Sequence, residues 1–257
     1  HSPKVKIYIL IHDTESFKDV GEDGSKGEWP AIQEFLANNK DWSLKEHLTI
    51  SNGLTVLERR LQYEIKHTIV IPTYNHFHDA LKPCIDAVLA YTDLSDKEII
   101  IVANGCTDET IPYIKSLKAP IKLIEFVEPM GYIKSINAGI KEARGEFVTT
   151  LDNDSILQPQ DKDQWINTLY APFIENDMGA TSPFSQTYDD LGHVLHSGCT
   201  MYRKSFLLQM GMFDEIFNPG YMSDEDLAIR IRKAGYKLAE VPKNVIKEYN
   251  NGVFHIN

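Results

Sequence analysis

The chain has 257 residues, 42% hydrophobic and 25% charged, with a formal net charge of −11. This profile fits a soluble globular protein with one large α/β domain, or a domain carrying an appendage. It excludes the broad basic surface that polyanions such as DNA require, and no apolar run approaches the ~20 residues that span a bilayer. A small phosphorylated ligand stays within reach, because one cation and a few backbone amides can hold a diphosphate.

In chain order, residues 5–11 read as a strand, with no secretory-leader pattern ahead of them. A polar, glycine-containing loop runs through Gly27, and a short helix follows over residues 30–38. Residues 42–60 predict two strands turning at Ser51-Asn52-Gly53. These elements make a small α/β appendage at residues 1–65, with a module boundary near 61–67 ahead of a second domain at 66–257.

From Thr68 the pattern alternates. A buried strand at 68–71 precedes a helix over 79–91, with Leu81, Ile85, Val88 and Leu89 on one face and Pro83 in its first turn. A strand at 98–102, a helix from about Thr107 and a strand at 122–126 come next. A helix over 133–143 and a strand over 147–151 complete a βαβαβαβ order. That order requires parallel strands, hence a doubly wound, Rossmann-like, mostly parallel sheet. Ligands of such sheets bind beyond the carboxyl ends of the strands. Residues 72–75, 104–106 and 152–154 all fall there.

Asp152 and Asp154 stand at i and i+2 at the exit of the fourth strand. Two carboxylates so placed can share a divalent cation, directly or through water. Mg²⁺ or Mn²⁺ suits them, as hard ions that take oxygen ligands and leave positions for phosphate oxygens. An acidic triplet in isolation is more often a turn or a cap; its place at the strand end favours the metal. A second acidic cluster, Ser223-Asp224-Glu225-Asp226, leads through Leu227 to Arg230. Helix-start acids and an Asp226–Arg230 i,i+4 pair explain it structurally. The functional alternative has one carboxylate accept a proton from an acceptor hydroxyl, late in bond formation, since an Asp of pKa near ~3.9 is a weak base.

Cys84, Cys106 and Cys199 are odd in number and widely spaced. They lack zinc-ligand spacing, cannot form a fully paired disulfide framework, and point to a reducing cytoplasm. Cys106 and Cys199 read as small buried residues. His76, His78 and Lys134 read first as solvated groups, with phosphate contact the alternative; His193 and His196 are acceptor-side alternatives.

Several motifs follow one another in a recognisable order. Val70-Ile71-Pro72-Thr73-Tyr74-Asn75 comes first, then residues 98–102 with Asn104-Gly105-Cys106-Thr107-Asp108. Gly131, Asn137-Ala138-Gly139 and Gly145-Glu146-Phe147 lead into Asp152-Asn153-Asp154. Ser197-Gly198-Cys199 with Arg203, Gly211-Met212-Phe213-Asp214-Glu215, and Asp224-Glu225-Asp226-Leu227 with Arg230, Gly235 and Tyr236 complete the set. From about Thr68 onward the chain resembles family 2 glycosyltransferases of the GT-A fold.

The resemblance implies nucleotide contacts from Pro72, Thr73, Tyr74, Asn75, Asn104, Gly131, Asp152 and Asn153. It implies metal and diphosphate binding by Asp152 and Asp154, with Asp154 the direct ligand. Asp224 matches the general base, Asp226 and Arg230 brace its helix, and Ser197-Gly198-Cys199 line the acceptor side. Three positions depart from the family pattern. Ala103-Asn104 stands where two acidic residues are usual, though an Asn carbonyl still accepts a base N–H. Pro129 stands where an Asn often precedes the glycine. A metal-binding His that often follows a Val-Pro such as Val241-Pro242 is matched here by Glu248, and the nearest histidine is His255. The third protein ligand stays open between Glu248, His255 and none.

His12-Asp13-Thr14, Gly27-Glu28-Trp29-Pro30-Ala31-Ile32, and the stretch from Trp42 through Asn52-Gly53-Leu54-Thr55-Val56-Leu57 are similar to the closing segment of some class I methyltransferases. No Gly-rich cofactor loop precedes them. Two readings follow: an upstream methyltransferase domain in a longer protein, or a packing appendage.

The expected function is inverting, metal-dependent transfer of a hexosyl or related sugar from a UDP-, GDP- or dTDP-linked donor. The acceptor is a glycan or glycolipid hydroxyl, in surface polysaccharide or glycoconjugate assembly, in the cytoplasm or at the inner face of the membrane. The alternatives are a non-catalytic nucleotide-sugar or glycan-binding module, and a sugar nucleotidyltransferase. The latter needs a Gly-rich basic loop where Pro72-Thr73-Tyr74-Asn75 stands.

Overall fold

A computed structural model describes residues 8–22, 27–39, 42–59 and 66–248. The chain divides into two compact units between Tyr63 and Glu64.

The first unit contains β1 (Tyr8–His12), α1 (Glu28–Asn38), β2 (Trp42–Leu48) and β3 (Leu54–Arg59). Its antiparallel sheet has the order β1-β3-β2, so the last strand inserts between the first two. Ile32, Trp42 and Leu57 form its buried centre, with Ile9, Ile11, Trp29 and Phe35 packed around them. Residues 5–7, where the expected first strand begins, lie outside the described residues.

The second unit opens with β4 (His67–Thr73), α2 (Lys82–Tyr91), β5 (Lys97–Asn104), α3 (Thr110–Ser116), β6 (Ile121–Phe126), α4 (Tyr132–Glu142) and β7 (Phe147–Leu151). It continues with β8 (Ser155–Leu157), α5 (Gln164–Tyr170), β9 (Met178–Ser182), β10 (Ser185–Tyr188), β11 (Gly192–Leu195) and β12 (Cys199–Arg203). It ends with α6 (Lys204–Gln209), α7 (Ser223–Lys233), β13 (Lys237–Glu240) and β14 (Ile246–Glu248). Seven strands form one sheet in the order β13-β9-β12-β7-β4-β5-β6. The β7-β4-β5-β6 block is parallel, as the alternating pattern requires.

Period-two geometry divides the strand side chains between two cores. Ile69, Ile71, Ile99 and Ile101 face Leu81, Ile85 and Val88 around α2 and Trp165 of α5. Val70, Ile100 and Val102 face Ile133, Ile136 and Ile140 of α4, with Leu227 and Ile231 of α7 in the same cluster. Burial on both faces explains why these strands read as continuous apolar runs rather than alternating ones. At Gly139 an added Cβ would come 2.3 Å from Val70 Cγ1, so only glycine lets α4 lie this close to β4.

Three local features differ from the sequence reading. The helix expected from residue 79 starts as a π turn, Phe77–Leu81, before α2. Pro83 has no N–H to close an α turn on Asp79, and the Lys82 N–H reaches back five residues to the Phe77 carbonyl. The helix expected from Thr107 starts instead at Thr110, where the Asp108 carboxylate accepts the Thr110 N–H at 3.1 Å. Beyond β7 the topology turns mixed: β12 runs antiparallel to both β7 and β9. That reversal sets Cys199 opposite Leu151 and brings the Asp152 N–H to 3.0 Å from the Gly198 carbonyl.

Candidate active site

The ends of β4 and β5 form a stitched pair of loops. Asn75 and His76 adopt left-handed conformations, φ 55° and 57°, turning the chain sharply after Thr73. The Asn75 carboxamide oxygen accepts the Thr107 N–H at 2.8 Å, and Asp108 accepts the Phe77 N–H at 3.0 Å. The Cys106 thiol sits between them, accepting the Asn75 N–H and donating to the Thr73 carbonyl. Pro72 pairs with Val102 beyond the last β4–β7 pair, Val70 with Thr150, where its missing N–H costs no bond to β7. Tyr74 is exposed at the rim.

Asn104 is buried, and its side-chain oxygen accepts the Met130 N–H at 2.6 Å. The carbonyl expected to meet a nucleobase is thus engaged in holding the loop ahead of α4. Gly131, at φ 88°, lies where a Cβ would strike the Asn218 carboxamide. The same loop is tied by Asn218 Nδ2 to the Met130 carbonyl, 3.0 Å, and by the Tyr132 N–H to the Pro219 carbonyl, 2.9 Å.

The acidic triplet joins this cradle directly. Asn153 Nδ2 donates to Thr73 Oγ1 at 2.9 Å. Asp152 Oδ1 accepts the Tyr132 hydroxyl at 2.8 Å, and that hydroxyl lies 3.0 Å from Ser197 Oγ. Asp154 is half-buried, burial raises its carboxyl pKa, and no cation among the described residues pairs with it. Among the described residues no group of three or more His, Cys, Asp or Glu is gathered that could hold a metal alone. The β14–β8 pairing sets Glu248 opposite Ser155, next in sequence to Asp154. The Glu248 side chain and all of His255 lie outside what is described.

Asp224 stands in the first turn of α7, after Met222 in a left-handed conformation, φ 65°. Its Oδ2 accepts the Ser197 N–H at 3.1 Å and the Ser197 hydroxyl at 3.3 Å, and His196 Nδ1 lies 3.8 Å away. Its Oδ1 is buried with no hydrogen-bond partner among the described residues. Arg230 binds Asp226 at 2.6 Å and also donates to the Met210 and Met212 carbonyls, so both residues brace the helix. Ser197 is fixed in turn by Thr150 Oγ1, which donates to its carbonyl at 3.0 Å. Cys199 is buried in β12.

Other candidates stand apart from this arrangement. His76 pairs with Asp79 at 3.1 Å, His78 lies 3.9 Å from Glu109, and His193 contacts Thr187 at 3.4 Å. Lys134 is half-buried on α4. Sequence reasoning missed Tyr132. Burial, then the charges of Asp152 and Asp224, push its phenol pKa well above the ordinary value. Nothing in spacing announces that a tyrosine after Gly131 reaches a carboxylate twenty positions on.

Comparison with known proteins gives this geometry a family. The profile of Glycosyl transferase family 2 matches residues 68–182. An uncharacterized glycosyltransferase of Rickettsia prowazekii is 30% identical over 184 residues, covering 62% of this chain and 56% of that protein. The amylovoran biosynthesis glycosyltransferase AmsE of Erwinia amylovora is 21% identical over 209 residues, covering 70% and 74%. Among solved structures, a mannosyltransferase of Pyrobaculum calidifontis in complex with GDP-Man and Mn²⁺ superposes with a TM-score of 0.62 at 19% identity, over 76% of this chain and 60% of that one. GalNAc-T7 with UDP, GalNAc and Mn²⁺ superposes at 0.61 and 16% identity, over 70% and 43%. The chain thus spans little more than half of the first of these relatives. With the matched profile lying on the parallel block and the acidic triplet at its edge, residues 68–182 form a region matched by the glycosyl transferase family 2 profile, and the second unit carries the GT-A fold.

Proposed function

We propose that the protein is an inverting glycosyltransferase moving a hexosyl or related sugar from a nucleoside-diphosphate donor to a glycan or glycolipid hydroxyl. The observation that carries this reading is the state of Asp224. One carboxylate oxygen is held by Ser197, while the other is buried without a donor among the described residues. A buried acceptor left unpaired costs about 1–3 kcal/mol. An acceptor hydroxyl placed there satisfies it and passes its proton to Oδ1 as the acceptor oxygen bonds to the anomeric carbon. The bond from that carbon to the diphosphate breaks on the opposite face, which inverts the centre.

Pro72, Thr73, Tyr74, Asn75, Asn104 and Gly131 supply the nucleotide side, with Asp152 and Asn153 beneath the diphosphate. Asp152 and Asp154 fit Mn²⁺ or Mg²⁺: Asp154 is a desolvated carboxylate with no cation of its own among the described residues. Such an ion offsets the charge of the leaving diphosphate. Two protein carboxylates leave room for phosphate oxygens, and the Glu248 register makes it the candidate third ligand. Replacing Asp224→Asn should lower transfer by about 10²–10⁴-fold while donor binding persists. Near-normal turnover in a donor-consumption assay would remove Asp224 as the base.

The first unit is read separately, either as the closing segment of an upstream methyltransferase domain or as a packing appendage; its sheet, whose last strand inserts between its neighbours, is compatible with both. We place the protein in the cytoplasm or at the inner face of the membrane, where surface glycans are assembled. In support, Cys84, Cys106 and Cys199 are not joined by disulfides. No described helix is long and apolar enough to cross a membrane.

A further inference from the structure

We propose that Tyr132 is a positioning residue which, through Ser197, couples occupation of the Asp152 carboxylate to the hydrogen bonding of Asp224. This rests on the reading of Asp152 as a metal and diphosphate carboxylate and of Asp224 as the base.

Three contacts in series connect the two acids. Asp152 Oδ1 lies 2.8 Å from the Tyr132 hydroxyl, that hydroxyl 3.0 Å from Ser197 Oγ, and Ser197 Oγ 3.3 Å from Asp224 Oδ2. The heavy atoms are held from outside the series. The Tyr132 N–H is bound to the Pro219 carbonyl, and the Ser197 N–H and carbonyl are bound to Asp224 and Thr150. The hydroxyl protons remain free to rotate.

Proton counting shows why the series acts as a coupling. Each hydroxyl carries one proton, and ionised carboxylates carry none, so two protons serve three contacts. Burial and the two carboxylates keep the Tyr132 phenol protonated. In one arrangement Tyr132 donates to Asp152 and Ser197 donates to Asp224, leaving the central contact without a proton. In a second, Ser197 donates to Tyr132, and Asp224 keeps only the Ser197 N–H. In a third, Tyr132 donates to Ser197, and Ser197 donates to Asp224.

A cation on Asp152 draws charge from its oxygens and weakens them as acceptors. Tyr132 then turns its proton to Ser197, and a hydroxyl that accepts a bond donates more strongly. The third arrangement therefore prevails when the donor site is loaded. Asp224 Oδ2 is then held by two donors, and Oδ1 is aimed at the acceptor. The Ser197 hydroxyl then holds the base more strongly than in the first arrangement, because it accepts a bond as well as donating one.

The Ser197 N–H reports on this directly, because it donates to Asp224. Amide NMR spectra of the ¹⁵N-labelled protein would be recorded with Mg²⁺ and UDP, and with Mg²⁺ and GDP. In the wild type, the amides of residues 152–154 and of Ser197 are expected to shift together. In Tyr132→Phe the 152–154 shifts should persist and the Ser197 shift should vanish. Ser197→Ala keeps the N–H and deletes the hydroxyl, so residue 197 should fall silent there too; this variant decides the matter if Tyr132→Phe folds poorly. Movement at 152–154 with an unmoved Ser197 in the wild type, or an equal Ser197 shift in the variants, overturns the coupling and leaves the donor site standing. No movement at 152–154 with either nucleotide overturns the donor-site reading and the coupling with it.

Discussion

At the scale of single residues, the candidate site includes two carboxylates that the described residues leave short of partners: Asp154, with no paired cation, and Asp224, with no donor on Oδ1. Burial raises the Asp154 carboxyl pKa, and no described cation compensates it. A group whose folded pKa exceeds its unfolded one binds protons more readily in the fold, so its ionisation opposes folding as pH rises. Asp154→Asn should therefore raise the melting temperature of the metal-free protein at neutral pH, and abolish stabilisation by Mn²⁺ with a nucleotide. The gain over wild type should shrink as pH falls through the raised Asp154 pKa. A variant that melts lower at neutral pH, or still responds to Mn²⁺, contradicts the assignment. Stabilisation on replacing Asp154 would be the usual sign of a binding site rather than a structural turn. Asp226 is the opposite case. Its carboxylate is neutralised by Arg230, and it serves the helix. Sequence alone presents Asp224 and Asp226 as equals; the partners distinguish them.

At the scale of elements, β4 carries a titration far from the chemistry. His67, at the strand's start, is 8% exposed, stacked on Phe147 at 5.3 Å, and its Nε2 has no hydrogen-bond partner among the described residues. Burial, with the Lys97 charge behind it, lowers its pKa from 6.5 to about 4. The folded state keeps this ring neutral, whereas the unfolded chain takes up a proton below about pH 6.5. The stabilisation is complete above that pH and is lost as pH falls toward 4, a difference of about 3 kcal/mol at 1.36 kcal/mol per unit. Denaturant unfolding of His67→Phe, compared with wild type across this window, should lack that part of the acid loss. Parallel slopes for the two proteins would refute it. The elements themselves were legible where period and punctuation agreed: the four parallel strands, their helices and the Ser51-Asn52-Gly53 turn lie close to where the pattern puts them. The start of α2 was not, because Pro83 determines the turn ahead of it through an absent N–H. The start of α3 depended on Asp108, which a periodicity argument passes over.

At the scale of the whole molecule, the two units separate at Tyr63 and Glu64, and every residue proposed for the nucleotide, the metal and the base lies in the second. A chain of residues 64–257 should keep the Mn²⁺- and nucleotide-dependent stabilisation of the whole protein, about 2.7 kcal/mol with ligand at 100-fold over its Kd. Loss of that response on removing residues 1–63 would show that the first unit takes part in binding. The sequence by itself determined the parallel block and the end at which sheets of this kind bind ligands. Apolar runs of strand length alternating with helical periods permit little else, and strand ends are where such sheets present polar residues. Only the tertiary structure decided how the second half completes the site. The reversal of β12 brings Ser197 beside Asp152 and beneath Asp224. Tyr132 meets Asp152 and Ser197 across gaps of 20 and 65 positions in the chain. Contacts at such separations arise from how helices and strands stack, and local residue patterns carry no record of which distant hydroxyl a carboxylate will meet.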